Sequence, residues 1–73
     1  MPRLRSASAR EVLRVLNSYG FRIIRQSGSH IQLIGKDNIT AVTVPNHAEI
    51  SKDTISWIIK QSGIAKETFL KLL

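Results

Sequence analysis

Four glycines, at positions 20, 28, 35 and 63, separate apolar runs of different period, and this punctuation constrains the fold more tightly than any other feature of the chain. Before Gly20, the residues Val12, Leu13, Val15, Leu16 and Tyr19 recur as one broad helical face, with Arg10 and Arg14 four apart on the other. Ser8-Ala9-Arg10-Glu11 has the order of a capping box, in which the Ser8 hydroxyl accepts from the Glu11 amide and the Glu11 carboxylate from the Ser8 amide. A helix is therefore predicted over roughly residues 9 to 19, with Gly20 ending it. Phe21-Arg22-Ile23-Ile24-Arg25 then predicts a first strand, Ser27-Gly28 a turn, and Ile31 to Ile34 a second strand. Gly35-Lys36-Asp37-Asn38 is a second turn cluster, and Ile39 to Val44 reads as a third strand that Pro45 ends.

Past Pro45, a connecting loop leads to Ser51, a natural N-cap, with Asp53 in the first turn and Lys60 in the last turn of a helix ending near Ser62-Gly63. Ile55, Ile58 and Ile59 recur at helical spacing; Trp57 stands among them and is expected in the core, with RNA stacking the lesser alternative. Ala65 to Leu73 predicts a short, weakly capped third helix, expected to fray, with Phe69, Leu70, Leu72 and Leu73 as its apolar contacts. The chain of 73 residues is expected to form a single domain, 1–73, because so short a sequence buries only about 60% of its unfolded surface. The order α-β-β-β-α plus a short C-terminal helix defines an α+β class: a three-stranded antiparallel sheet with helices packed on one face. If Ile31 and Leu33 point at the helices, His30 and Gln32 point the other way, joined by Arg22 if its strand pairs in phase, and Ile34 shares the parity of His30.

Eleven Lys plus Arg against five Asp plus Glu leave a net charge of +6. Such a field attracts polyanions and makes nucleic acid the leading partner class, with solubility the plain alternative. With no cysteine there is neither a disulfide framework nor a thiolate zinc site, and two histidines with few carboxylates argue against a metal-dependent nuclease; no metal or other cofactor is expected. The basic start Met1-Pro2-Arg3-Leu4-Arg5 is followed by no apolar run of signal-peptide or membrane-spanning length, which predicts a cytoplasmic protein without a membrane partner.

Histidine is the side chain that exchanges protons near neutral pH, and His30 sits beside a tight turn, although the residues alone favour an ordinary exposed or core-edge histidine. His47, just after Val44-Pro45, is a candidate second member of an acid–base pair, with an ordinary loop histidine as the competing reading. The capped helix ending in Tyr19-Gly20-Phe21 and the hairpin Arg25-Gln26-Ser27-Gly28-Ser29-His30 are two parts of a longer pattern. With Thr43-Val44-Pro45 and the run Thr54-Ile55-Ser56-Trp57-Ile58-Ile59-Lys60-Gln61-Ser62-Gly63-Ile64, they resemble the HicA toxin family over nearly the whole chain.

The resemblance implies a double-stranded-RNA-binding-domain-like fold, an endoribonuclease (mRNA interferase) activity that degrades messenger RNA and arrests growth, and a cognate HicB-type antitoxin that blocks it. The family's catalytic histidine falls on His30. Many relatives carry a basic residue and a glycine before the threonine of the second helix, where this chain reads Glu49-Ile50-Ser51-Lys52-Asp53-Thr54; one positive contact with RNA is therefore either missing or moved to Lys52. Metal-free cleavage needs a base for the ribose 2′-hydroxyl, donors for the phosphate and an acid for the departing 5′-oxygen. Gly28 and Ser29 are candidate close-approach and phosphate contacts, equally readable as turn residues. Arg22, Arg25 and Lys36 flank the hairpin as candidate phosphate contacts, against a reading as solvated surface. The rivals are a noncatalytic RNA-binding module of the same fold, recognising duplex shape, and a decayed toxin or an adaptor for its partner.

Overall fold

A computed structural model describes residues 3–73; Met1 and Pro2, the first two residues of the basic N-terminus, lie outside them. The elements run α1 (Ala9–Ser18), β1 (Arg22–Ser27), β2 (His30–Ile34), β3 (Ala41–Pro45), α2 (Lys52–Ser62) and α3 (Lys66–Leu72). The strands form one antiparallel sheet in the order β1-β2-β3. This is the α+β layout read from the sequence.

Helix α1 is closed at both ends by local chemistry. The Ser8 hydroxyl accepts from the Glu11 amide at 3.1 Å and the Ser8 amide donates to Glu11 at 3.0 Å, completing the capping box. Glu11 also pairs with Arg5 at 3.1 Å. The Ser8 hydrogen bond, aided by Arg5, holds the Glu11 carboxyl below its ordinary range. At the other end Gly20 adopts φ +88°, the Gly20 amide donates to Asn17 and the Phe21 amide to Leu16, which is the double bond pattern of a Schellman ending. Phe21 and Leu16 are both buried beside that ending, so Phe21 joins the core as the helix closes and β1 begins one residue later than the sequence predicts.

The core lies between the helices and one face of the sheet. Val12, Val15 and Leu16 of α1 meet Ile31 and Leu33 of β2, Val42 and Val44 of β3, Ile55, Ile58 and Ile59 of α2, and Phe69 and Leu70 of α3. Each such aliphatic or aromatic side chain contributes about 1.5–3 kcal/mol relative to an exposed position. Before α1 and before α2 the chain is tied to itself, with Ala7 and Ile50 exchanging both backbone hydrogen bonds. Every residue of β1 is exposed, so that strand is held by its ladder to β2 rather than by the core.

Several expectations change. The third strand starts at Ala41 rather than Ile39, because the Asp37 carboxylate accepts from the amides of Ile39 and Thr40 and so extends the turn; Ile39 is left 82% exposed. Pro45 is the last residue of β3 instead of the first beyond it. Tyr19 is the C-cap of α1 and 41% exposed, not part of its buried face. Trp57 is 59% exposed: Ile55, Ile58 and Ile59 turn inward without it, so the expectation of core packing fails. Helix α3 forms with no side-chain cap, as its sequence suggests.

Candidate functional site

The β1–β2 connection is a two-residue turn, Gly28-Ser29, flanked by the cross-strand pair Ser27 and His30. Gly28 has φ +57° while Ser29 keeps a negative φ, the sign pattern of a type II′ hairpin turn with glycine first. A Cβ at Gly28 would meet nothing within 4 Å, so the surface above this turn is open. On its other side His30 pairs with Pro45. The chain leaving Pro45 stays at this end of the sheet: the Asn46 amide donates to the Ser29 carbonyl at 2.6 Å, and the Ala9 amide donates to the His47 carbonyl at 3.0 Å. Ile50 then bridges to Ala7, and Ser51 caps α2, whose first residue is Lys52. The hairpin turn, the loop carrying His47, and the starts of both α1 and α2 therefore converge on one end of the sheet.

Register decides what faces solvent. On the open face three cross-strand rows stand side by side: Ser27, His30 and Pro45; Arg25, Gln32 and Thr43; Arg22, Ile34 and Ala41. Successive rows are separated by about 7 Å. Arg22 and Arg25 are three residues apart and would point to opposite faces in a regular strand; a bulge between Ile23 and Arg25 restores the phase and brings both onto the face of His30. Ile31, Leu33, Val42 and Val44 fill the other face, as the alternation predicts. No acidic residue belongs to the three open rows. Among the described residues, the imidazoles of His30 and His47 and the charged ends of Arg25 and Lys52 form no side-chain hydrogen bond or ion pair, and all four residues are exposed. They remain available to a ligand.

The other sequence-derived candidates lie elsewhere. Lys36 is six residues beyond His30 along and past β2, roughly 20 Å away at the opposite end of the sheet, where its aliphatic stem lies against Gly20. Arg22 is in the row nearest that far end and donates to Asn38 at 2.6 Å. There, hydrogen bonds from the Thr40 hydroxyl and from the amides of Ile39 and Thr40 hold the Asp37 carboxyl down at about 2. The structure thus brings Gly28, Ser29, His30, His47 and Lys52 to one end with Arg25 one row in, and leaves Arg22 and Lys36 apart.

Ser27 and Asn46 belong to the His30 end and carry polar side chains that sequence reasoning did not single out. A two-residue reading of the Gly28-Ser29 loop identifies Ser27, since it makes Ser27 the cross-strand partner of His30. Asn46 had no comparable signal, because its place follows from a tertiary hydrogen bond. Among the described residues no group of three or more histidine, aspartate or glutamate side chains is gathered closely enough to hold a metal ion, and no helix is long and apolar enough to cross a membrane.

An antiparallel sheet with one face buried under helices and the other bare, basic and marked by a histidine at a hairpin turn defines the class: a small α+β domain with one polar sheet face left open. A family model described as HicA toxin of bacterial toxin-antitoxin matches residues 9–64, more than half of the chain, and the protein belongs to that family. It is accordingly the toxin component of a toxin-antitoxin system, and an antitoxin is its partner. No curated protein matches the chain.

Proposed function

We propose that this toxin is an endoribonuclease that cleaves messenger RNA by acid–base chemistry centred on His30, needing no metal, and that a HicB-type antitoxin silences it by covering the face on which His30 stands. One observation carries the reading: His30 is exposed and unengaged on a basic sheet face, beside a turn over which nothing else packs.

The reaction forms a bond from the ribose 2′-oxygen to phosphorus and breaks the bond from phosphorus to the 5′-oxygen, so one proton leaves the 2′-hydroxyl and another reaches the leaving oxygen. An imidazole performs either transfer near neutral pH, and a positioned acid or base contributes about 10²–10⁴-fold. His30 takes one of these roles; His47, in the loop tied to the same turn through Asn46, is the candidate for the other. Charge developing on the phosphate falls to nearby donors: the Arg25 guanidinium one row away, the Ser29 hydroxyl, and Lys52 at the start of α2. The bare surface over Gly28 lets the RNA backbone approach the imidazole. Loop, turn and helix start are held by backbone hydrogen bonds, so little reorganisation is needed when RNA arrives.

The test is induction of the intact protein and of His30→Ala at matched levels, followed by growth and by the integrity of a reporter messenger RNA, together with cleavage of purified RNA in chelator. Arrest and RNA loss with the intact chain alone support the reading. Salt-sensitive RNA binding without cleavage, unchanged in His30→Ala, overturns it in favour of a noncatalytic RNA-binding module.

A further inference from the structure

We infer that Trp57 is a base-stacking platform for the RNA strand that crosses the His30 row, an inference that rests on the ribonuclease reading. A single-stranded RNA is gripped by cations along its backbone and by aromatic faces under its bases. The open sheet face supplies the first and lacks the second: Arg22, Arg25, Ser27, His30, Gln32, Thr43 and their neighbours include no Phe, Tyr or Trp. Among the large exposed apolar side chains of the described residues, two are aromatic, Tyr19 and Trp57. Tyr19 closes α1 at the far end, where it shares a hollow with Lys36 and Asp37.

Trp57 sits at the near end. Gln61, one turn further along α2, accepts from the Thr43 amide at 3.3 Å, which anchors that side of the helix along the outer edge of β3. Because α2 runs back from the His30 end while β3 runs toward it, one turn before Gln61, about 5.4 Å, is close to the level of Pro45, two residues beyond Thr43 and the cross-strand partner of His30. A strand of RNA leaving the His30–Pro45 row over the β3 edge therefore arrives at Trp57. The indole lies in a shallow groove that runs along α2 past Ser56 and Lys60 to Gly63, Ile64 and, from α3, Lys66, so Lys60 stands one turn beyond the indole and Lys66 further toward the far end, along the way the accompanying phosphates would take; Asp53 is the one acid there. The indole is not required by the core, which closes on Ile55, Ile58 and Ile59. Its exposure, its cationic company and its level on the sheet all suit a nucleobase.

Trp57 is the chain's single tryptophan, so its emission reports on this position alone. The measurement uses the intact chain carrying His30→Ala, to prevent cleavage, titrated with a single-stranded RNA of about ten nucleotides. Emission and the anisotropy of end-labelled RNA are followed together. The expected result is saturable quenching that tracks binding, affinity roughly ten-fold weaker with Trp57→Ala, most of it restored by Trp57→Phe, and thermal midpoints unchanged among the three. If RNA binds while emission stays constant and Trp57→Ala binds equally well, the inference falls and the ribonuclease reading stands. If no variant binds RNA, both fall. Quenching by the antitoxin but not by RNA also overturns the inference, and makes the indole a protein-docking residue.

Discussion

The two turns at opposite ends of the sheet are built from similar residues and treated in opposite ways. In the β2–β3 turn, polar groups are spent on each other: Asp37 accepts from Ile39 and Thr40, Asn38 accepts from Arg22, and the Lys36 stem covers Gly20. In the β1–β2 turn and its adjoining loop, the backbone is tied by the Asn46–Ser29 hydrogen bond while the His30 and His47 side chains are left free. A turn that satisfies itself buys stability; one whose backbone alone is fixed holds unspent donors and acceptors in place for a ligand. Charge does not make this distinction, because both ends carry cations. Hydrogen-bond accounting does.

The largest effect that follows is at His30. His30→Ala is expected to lower RNA cleavage by about 10²–10⁴-fold while shifting stability by less than about 0.5 kcal/mol, since the side chain is exposed and unbonded. Purified-RNA cleavage and thermal melting of the same preparations check both halves, and a large loss of stability would break the contrast between the ends. Next in size are the cations. Arg25→Ala, one row from His30, is expected to weaken RNA binding several-fold and to reduce its salt slope by about 1, whereas Lys36→Ala at the far end leaves the slope unchanged. Equal effects from the two substitutions would mean that RNA is held by overall charge and that the ends do not differ.

That contrast was only partly legible in the sequence. The Ser8–Glu11 box, the glycine ending α1 and the alternation through Ile31 and Leu33 are local signals, and the structure follows them. So the open placement of His30 and Gln32 was readable from the alternation alone. The distance of Lys36 from His30 was readable too, because a five-residue strand separates the turns by its length. The phase of Arg25 was not: it depends on a bulge at Ile24, and Ile23-Ile24 carries no mark that distinguishes a bulged pair from a regular one. Trp57 misled for a related reason. Helical periodicity says which residues share a face, but the width of the buried stripe depends on what α2 rests on, and here it rests along the edge of β3 rather than over the middle of the sheet.

The glycines of the two turns sharpen the comparison further. Gly28→Ala meets no atom within 4 Å, so its cost is backbone strain alone at φ +57°, about 1–2 kcal/mol, and Gly28→Asn recovers part of it because asparagine tolerates that region. Gly35 has an ordinary φ, yet a Cβ there stands 3.2 Å from the Asp37 carboxylate and 3.3 Å from the Phe21 ring. Because that carboxylate is tied to the Ile39 and Thr40 amides and the Phe21 ring is buried, neither neighbour gives way freely, so Gly35→Ala loses stability through packing, and asparagine makes it worse. Denaturant midpoints for the four variants test this, and an asparagine rescue at Gly35 rather than Gly28 would reverse the assignment of strain and crowding.

The smallest effect concerns pH. Asp37 titrates at about 2 in the folded chain, against about 3.9 for an unfolded aspartate. A carboxylate with a lowered folded pKa contributes stability that is present above the unfolded value and lost as pH falls through the folded one. Wild type is therefore expected to exceed Asp37→Asn in thermal midpoint above about pH 4, and the gap should close between about pH 4 and pH 2 as Asp37 takes up its proton. Glu11, also held below its ordinary range, adds to the acid loss of both proteins equally, so the difference between the two curves isolates Asp37. A gap that stays constant through this window would show that the Asp37 hydrogen bonds do not depend on its charge. Cleavage at neutral pH by the folded Asp37→Asn protein is expected to match wild type, because the far turn stabilises the sheet without touching the RNA; a loss of cleavage without a loss of folding would put the far turn inside the binding surface and erase the division of labour between the two ends.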